Sequence, residues 1–248
     1  MKAPEMKAAM SAKTPMVGVS IMFSSPQLVE MIAALGFDWV LIDCEHGSID
    51  LSNLEVMAIA AKAAGITAIA RPPSNSPIDI MRVMDRGVDG VQVPHIKSQK
   101  EAKAAVESVK FHPLGNRGLA MGTRPSNYGI GVELDQYTKT SNLDSIVVLQ
   151  IEDREAIENL DDILSVPDVD VFFVGPSDLS QSLGHPGKAN KPPVSTAITK
   201  IFRSIAEAGL TSGTASSEKQ MEKAKKEGCC YLYTHLNNVL KLGAENYL

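Results

Sequence analysis

In Trp39-Val-Leu-Ile-Asp43-Cys-Glu45-His46-Gly47, four apolar residues run without a break and charge then arrives at once. An unbroken apolar run of this kind is the pattern of a strand buried on both faces. Asp43, Glu45 and His46 stand at its C-terminal end, before the glycine that turns the chain out. Acids and imidazoles are costly to desolvate, so a group of them at a buried strand's exit points to chemistry. The pattern recurs in Val147-Val-Leu-Gln150-Ile-Glu152 and in Val171-Phe-Phe-Val-Gly175-Pro-Ser-Asp178. Strands buried on both faces belong to a parallel sheet covered by helices, which narrows the choice of fold sharply.

Strand-like runs cover 17–23, 39–43, 67–71, 90–95, 145–152, 170–178, 211–215 and 229–235. Helical patterns separate them. Ser25, Pro26 and Gly36 bound a helix over 26–35, and Ser52-x-x-Glu55 reads as a capping box for an apolar stripe that stops at Gly65. Further helices are expected over 77–86, 98–110, 154–164, 194–208, from Ser217 onward and over 237–246. Residues 2–13 read as a short surface helix, and 113–144 shows no clear periodicity. A connection that long inside a compact domain is often functional. Eight strand–helix units in 248 residues match an α/β fold of the (β/α)8 TIM barrel type, one domain over 1–248. An open doubly wound sheet is the alternative, but no glycine-rich dinucleotide turn follows the first strand.

Apolar residues make up 44% of the chain, enough for a substantial core, and the net charge of −5 offers nothing to nucleic acid or an anionic membrane. No apolar run approaches the ~20 residues that span a bilayer. The opening residues Met1 to Lys7 lead into no apolar signal core, and three cysteines make no disulfide framework. The expected compartment is the cytoplasm. Cys44 sits beside carboxylates that would raise its thiol pKa, so it reads as a packed core cysteine rather than a nucleophile.

In a barrel the C-terminal strand ends share one rim, where enzymes of this fold work. That rim collects Asp43, Glu45, His46, Arg71, His95, Gln150, Glu152, Asp178 and His235. It holds no lysine, so a Schiff base is disfavoured and carbonyl chemistry turns toward a metal. Glu152 and Asp178 close adjacent strands and would repel each other unless a cation sat between them. Oxygen ligands suit Mg²⁺ or Mn²⁺, although either acid read alone could instead cap a helix or pair with Arg154. Asp43 and His46 could form a dyad in which the carboxylate orients the imidazole, with a turn histidine as the rival reading. Arg71 before two prolines suits a carboxylate or oxyanion, with a pair to Glu45 as its rival. His95, His112, His185 and His235 have no metal-site spacing and are read as carrying no role.

Taken in order, the chain resembles the HpcH/HpaI family of class II pyruvate aldolases. The resemblance rests on Phe37-Asp-Trp-Val-Leu-Ile-Asp43-x-Glu45-His46-Gly47, Ala70-Arg71-Pro72, Val93-Pro94, Gly115-x-Arg117-Gly118, Gln150-Ile151-Glu152 and Gly175-Pro-Ser-Asp178-Leu-Ser180. It implies cleavage or formation of 4-hydroxy-2-oxoacids from pyruvate and an aldehyde through a metal-stabilised enolate. It implies Mg²⁺, Mn²⁺ or a similar ion such as Co²⁺ at Glu152 and Asp178, Arg71 at the oxyanion, and His46 moving the proton. It implies Gln150 positioning ligands, and carboxylate binding at Gly175 and Ser177. Asp85 and Arg124 would reach a neighbouring subunit's site in a hexamer, a trimer of dimers whose last helix is exchanged between subunits. The alternatives are oxaloacetate decarboxylation with enolate capture, an acyl-CoA lyase, or a barrel that binds a keto acid without turnover. The chain departs from the family at Ser20, where tryptophan is common, in the small polar seventh strand, and at Tyr231 to Asn238. These departures change the acceptor side.

Overall fold

The computed structural model describes residues 1–248. Eight parallel strands close into a barrel in chain order: β1 (Met16–Ile21), β2 (Trp39–Asp43), β3 (Thr67–Arg71), β4 (Gly90–Val93), β5 (Ile146–Ile151), β6 (Val171–Val174), β7 (Ser212–Ala215) and β8 (Tyr231–His235). The outer elements are α1 (Ala3–Ser11), α2 (Pro26–Ala34), α3 (Leu51–Ala64), α4 (Pro77–Met84), α5 (Gln99–Val109), α6 (Leu134–Asp144), α7 (Arg154–Glu158), α8 (Leu160–Leu164), α9 (Pro176–Ser182), α10 (Val194–Glu207), α11 (Glu218–Lys226) and α12 (Leu236–Glu245). No helix is long and apolar enough to cross a membrane.

The apolar runs have two sides, and both are buried. Val40 and Ile42, Val147 and Leu149, and Phe172 and Val174 face outward into the layer beneath the helices. Trp39 and Leu41, Ile146 and Val148, and Val171 and Phe173 face inward. Period-two alternation then carries each strand from an apolar inward position to a polar one: Leu41 to Asp43, Ile69 to Arg71, Val148 to Gln150, Tyr233 to His235. The same alternation that builds the core therefore delivers the rim.

Large and small residues alternate around the interior. Trp39 stacks on Tyr231 at 4.1 Å between ring centroids, and Phe173 lies parallel to Tyr233 at 5.3 Å. A Cβ at Gly18 would sit 2.5 Å from the Trp39 ring, and one at Gly213 would sit 2.8 Å from the Tyr231 ring, so glycine on β1 and β7 makes room for both aromatics. Trp39→Ala is expected to destabilise the fold by about 3–5 kcal/mol, read as a lower urea midpoint at unchanged slope.

The structure corrects the reading of residues 2–13. The first helix is no surface element: Met6 and Met10 are buried with Ala3 among the inward residues of β2, β3, β5, β6 and β8, and α1 plugs the N-terminal end of the barrel. Lys7 fastens it by pairing with Asp170 at 3.0 Å and donating to the Ser145 carbonyl. Asp50, not Ser52, caps α3, accepting the Asn53 N–H at 2.8 Å. The long connection 113–144 contains a 3₁₀ turn over Arg124–Gly129 and the helix α6, which buries no residue fully and so carried no apolar stripe to read. The 154–164 helix breaks at Asn159 into α7 and α8. Strand β6 stops at Val174, which places Asp178 in the first turn of α9 rather than on the strand. Helix α12 rests on β8 and β1 of its own chain, with Leu240 and Leu242 exposed.

Candidate active site

At the C-terminal rim a cavity of about 190 Å³ opens between Met22, His46, Arg71, Gln150, Glu152, Phe173, Gly175, Pro176, Ser177, Asp178, Ala215, Tyr233 and His235. Strands β3, β5, β6, β7 and β8 each place a residue there, the turns after β2 and β5 supply His46 and Glu152, and the first turn of α9 supplies Asp178. No lysine lines it.

Arg71 is the rim's fixed cation. Its Nε donates to Asp43 Oδ1 at 2.9 Å, its Nη2 to Asp43 Oδ2 at 2.5 Å, and Nε lies 3.2 Å from Glu45 Oε2. Burial alone would raise the Asp43 carboxyl; the Arg71 bond and charge, with the N–H groups of His46 and Glu45, overcome that and hold it below the ordinary range. Glu45 shifts the other way, raised by burial more than Arg71, His46 and His95 lower it.

The expected side-chain dyad of Asp43 and His46 is not formed. Arg71 takes the Asp43 carboxylate, which receives the His46 main-chain N–H at 3.2 Å, and the half-exposed imidazole instead stands 3.8 Å from Glu45 Oε2. Asp43 therefore orients the turn that carries His46, not its ring.

Glu152 is 1% exposed and has no arginine or lysine partner. Its Oε1 accepts the His95 N–H at 2.9 Å, and its Oε2 accepts from Gln150 Nε2 at 2.6 Å. Burial raises its pKa, the two hydrogen bonds oppose the rise, and the nearby charge of Asp178 adds to it. Gly175 lies directly over this carboxylate, and a Cβ there would collide with Glu152 Oε2. No cluster of three or more His, Cys, Asp or Glu forms a cage. Two carboxylates without an arginine or lysine partner, under a gap that glycine keeps open, fit an oxygen-liganded divalent ion whose other positions go to water or substrate.

Beneath Glu152 a polar chain runs through the barrel. Tyr231 Oη donates to Gln92 Oε1 at 3.1 Å, Gln92 Nε2 donates to Gln150 Oε1, and Gln150 Nε2 donates to Glu152. Every donor points toward the carboxylate, which fixes the orientation of both amides.

Two histidines read from the sequence as without a role stand at this rim. His95, at φ 54°, donates its main-chain N–H to Glu152, sets Nδ1 3.0 Å from Asp153 Oδ2, and places Nε2 3.4 Å from Glu45 Oε1. Burial lowers its pKa, and the surrounding acids outweigh that and raise it. His235 lines the cavity with Nδ1 2.8 Å from Ser20 Oγ. Rim position is the usable sequence signal for both, and metal-ligand spacing is blind to it. His112 and His185 lie outside the cavity. The Cys44 thiol is pushed up to about 12, first by burial and then by Asp43 and Asp50, in keeping with a packed residue.

Asp85 and Arg124 are elsewhere in the chain's own fold. Asp85 caps the C-terminus of α4 and accepts from Arg117 Nη2 at 2.7 Å. Arg124 Nη1 reaches the Gly87 carbonyl and lines a larger cavity, about 510 Å³, with Lys2, Gly65 and Asp89. Those residues precede strands β3 and β4 or belong to the α1 end, so this cavity opens at the end of the barrel opposite the acids.

The family model for HpcH/HpaI aldolase/citrate lyase matches residues 17–231. A hydroxypyruvate/pyruvate aldolase of Sagittula stellata is 32% identical over 221 residues, covering 89% of this chain and 86% of that protein. A 5-keto-4-deoxy-D-glucarate aldolase of Shigella boydii is 35% identical over 207 residues, covering 84% of this chain and 79% of that protein. The crystal structure of an HpcH/HpaI aldolase/citrate lyase family protein from Burkholderia cenocepacia superposes with a TM-score of 0.91 at 27% identity, covering 98% of this chain and 96% of that one.

Proposed function

Since the chain belongs to the HpcH/HpaI aldolase/citrate lyase family, we propose that it is a metal-dependent aldolase, a carbon–carbon lyase joining or parting a 2-keto acid and an aldehyde. The observation that carries this reading is the pair Glu152 and Asp178, with no arginine or lysine partner and only the half-exposed His95 ring 3.6 Å from Glu152, in one cavity with Arg71 and His46. These two carboxylates would hold Mg²⁺, Mn²⁺ or a similar ion such as Co²⁺. When bound, the ion supplies Lewis acidity that stabilises negative charge developing on the keto oxygen.

The chain's own groups do the rest. The backbone at Gly175 and Ser177, where α9 begins, takes the carboxylate of pyruvate or hydroxypyruvate. Arg71, clamped by Asp43 and Glu45, offers a donor to the oxyanion without moving. In cleavage His46 removes the proton of the 4-hydroxyl through water, the C3–C4 bond breaks, the aldehyde departs, and C3 is reprotonated. Gln150 holds Glu152 in place. Asp85 and Arg124, distant from their own cavity, are assigned to a neighbouring subunit's site. The assembly we propose is a hexamer built as a trimer of dimers with α12 exchanged, which would cover the exposed Leu240 and Leu242.

Proton exchange of the pyruvate methyl group in D₂O, followed by NMR, tests the donor half without any knowledge of the aldehyde. Exchange is expected with Mg²⁺ or Mn²⁺, to stop with EDTA, and to fall about 10²–10⁴-fold in His46→Ala. Exchange that survives EDTA would remove the metal from the mechanism. Exchange absent with every divalent ion would remove pyruvate as donor.

A further inference from the structure

The cavity wall two strands beyond β6 has a character of its own. Ser20 on β1 and His235 on β8 are register partners, and Ser20 Oγ meets His235 Nδ1 at 2.8 Å. The imidazole is also steadied by the edge of Tyr233, 5.5 Å between centroids at 82°. Its other nitrogen, Nε2, makes no hydrogen bond within the protein. Beside it, β7 contributes only Ala215 to the lining, so space remains in front of the ring.

This wall is polar but carries no anion partner. Burial lowers the His235 pKa first and the Arg71 charge lowers it further, outweighing the opposing charge of Asp43; the balance favours the neutral ring. A serine hydroxyl can donate to Nδ1 or accept from it. Nε2 is accordingly a donor in one arrangement and an acceptor in the other. That versatility matches a hydroxyl group, which is both. A neutral wall does little for a carboxylate, and an unpaired ring nitrogen disfavours an alkyl chain. The acid pair, Gly175 and Ser177 occupy the β5–β6 side, which leaves this wall to the aldehyde.

On the aldolase reading given above, we propose that His235, positioned by Ser20, is the specificity-determining residue that hydrogen-bonds the 2-hydroxyl of the aldehyde, so that the site selects hydroxyaldehydes. Glycolaldehyde and propanal test this, since they differ chiefly by a hydroxyl in place of a methyl. The readout is the ratio of their kcat/KM values with pyruvate as donor, compared between proteins so that intrinsic reactivity cancels. His235→Leu is expected to lower the glycolaldehyde-to-propanal ratio about tenfold. His235→Gln, which keeps a donor and an acceptor, is expected to hold it within about threefold of wild type. Ser20→Ala frees the ring and is expected to fall between; it also decides the matter if His235→Leu does not fold.

A ratio unchanged in both His235→Leu and Ser20→Ala overturns the assignment. So does wild-type enzyme that exchanges the pyruvate methyl but turns over neither aldehyde. Wild-type enzyme that shows no exchange at all instead overturns the aldolase reading on which this assignment rests.

Discussion

Glu152→Ala abolishes metal binding and turnover together. Mn²⁺ affinity is expected to fall at least about 100-fold, and turnover about 10³-fold or more, equivalent to about 4 kcal/mol of lost transition-state stabilisation. Titration of Mn²⁺ by EPR beside a kinetic assay checks both. Full activity in the variant would refute the metal assignment. The stability of the metal-free protein sharpens the test. A buried carboxylate raised by desolvation and by Asp178 is a burden to the empty fold, so its removal should leave the melting temperature level or higher. A drop would mean that Glu152 serves chiefly to hold the His95 backbone, whose N–H it accepts. Glu152→Gln does not rescue function: one end of the amide must then point a donor at the His95 N–H or at the Gln150 amide, both already donors.

Arg71→Ala has the second large effect, and it strikes fold and function at once. The guanidinium is the shared partner of Asp43 and Glu45, which are both nearly fully buried. Without it the buried Asp43 carboxylate has no cation and Glu45 keeps only the rings of His95 and His46, and a loss of about 3–5 kcal/mol is expected in urea unfolding at pH 7. Loss of the oxyanion donor lowers turnover by about 10²–10³. Arg71→Lys recovers little, because a single ammonium cannot span both acids as the fork does. The pH dependence has a definite sign. The wild-type Asp43 pKa is lowered on folding, so its contribution is present above the unfolded value and disappears as pH falls through the folded one. In the variant the buried carboxyl is raised instead, and protonation relieves it. The stability gap between the two proteins should therefore narrow as pH falls toward about 4. A gap that stays constant down to that pH would mean that Asp43 is not the group left uncompensated.

The barrel was legible because each strand is written twice, once for its inward face and once for its outward face. That is why Trp39 to Ile42 and Val147 to Leu149 read as continuous apolar runs. The placement of Asp43, Arg71 and Gln150 follows from the same period. What escaped the sequence depends on contacts between distant strands. Met6 and Met10 acquire meaning only once eight strands surround them. The choice of Arg71 over His46 as the partner of Asp43 is decided across a β2–β3 register in which the two residues stand opposite each other. His95 enters the site through its main chain at positive φ, which no residue-type pattern records. Asp178 stands on another element than its sequence pattern suggests, since one proline at 176 starts a helix where a strand was expected to continue.

Because α1 seals one end, the barrel is a blind-ended vessel with a single mouth. On the aldolase reading proposed above, a keto acid held on the β5–β6 side and an aldehyde at the β8–β1 wall would share that one mouth. The keto acid would then enter first and leave last, an order that initial-rate kinetics with product inhibition would read directly.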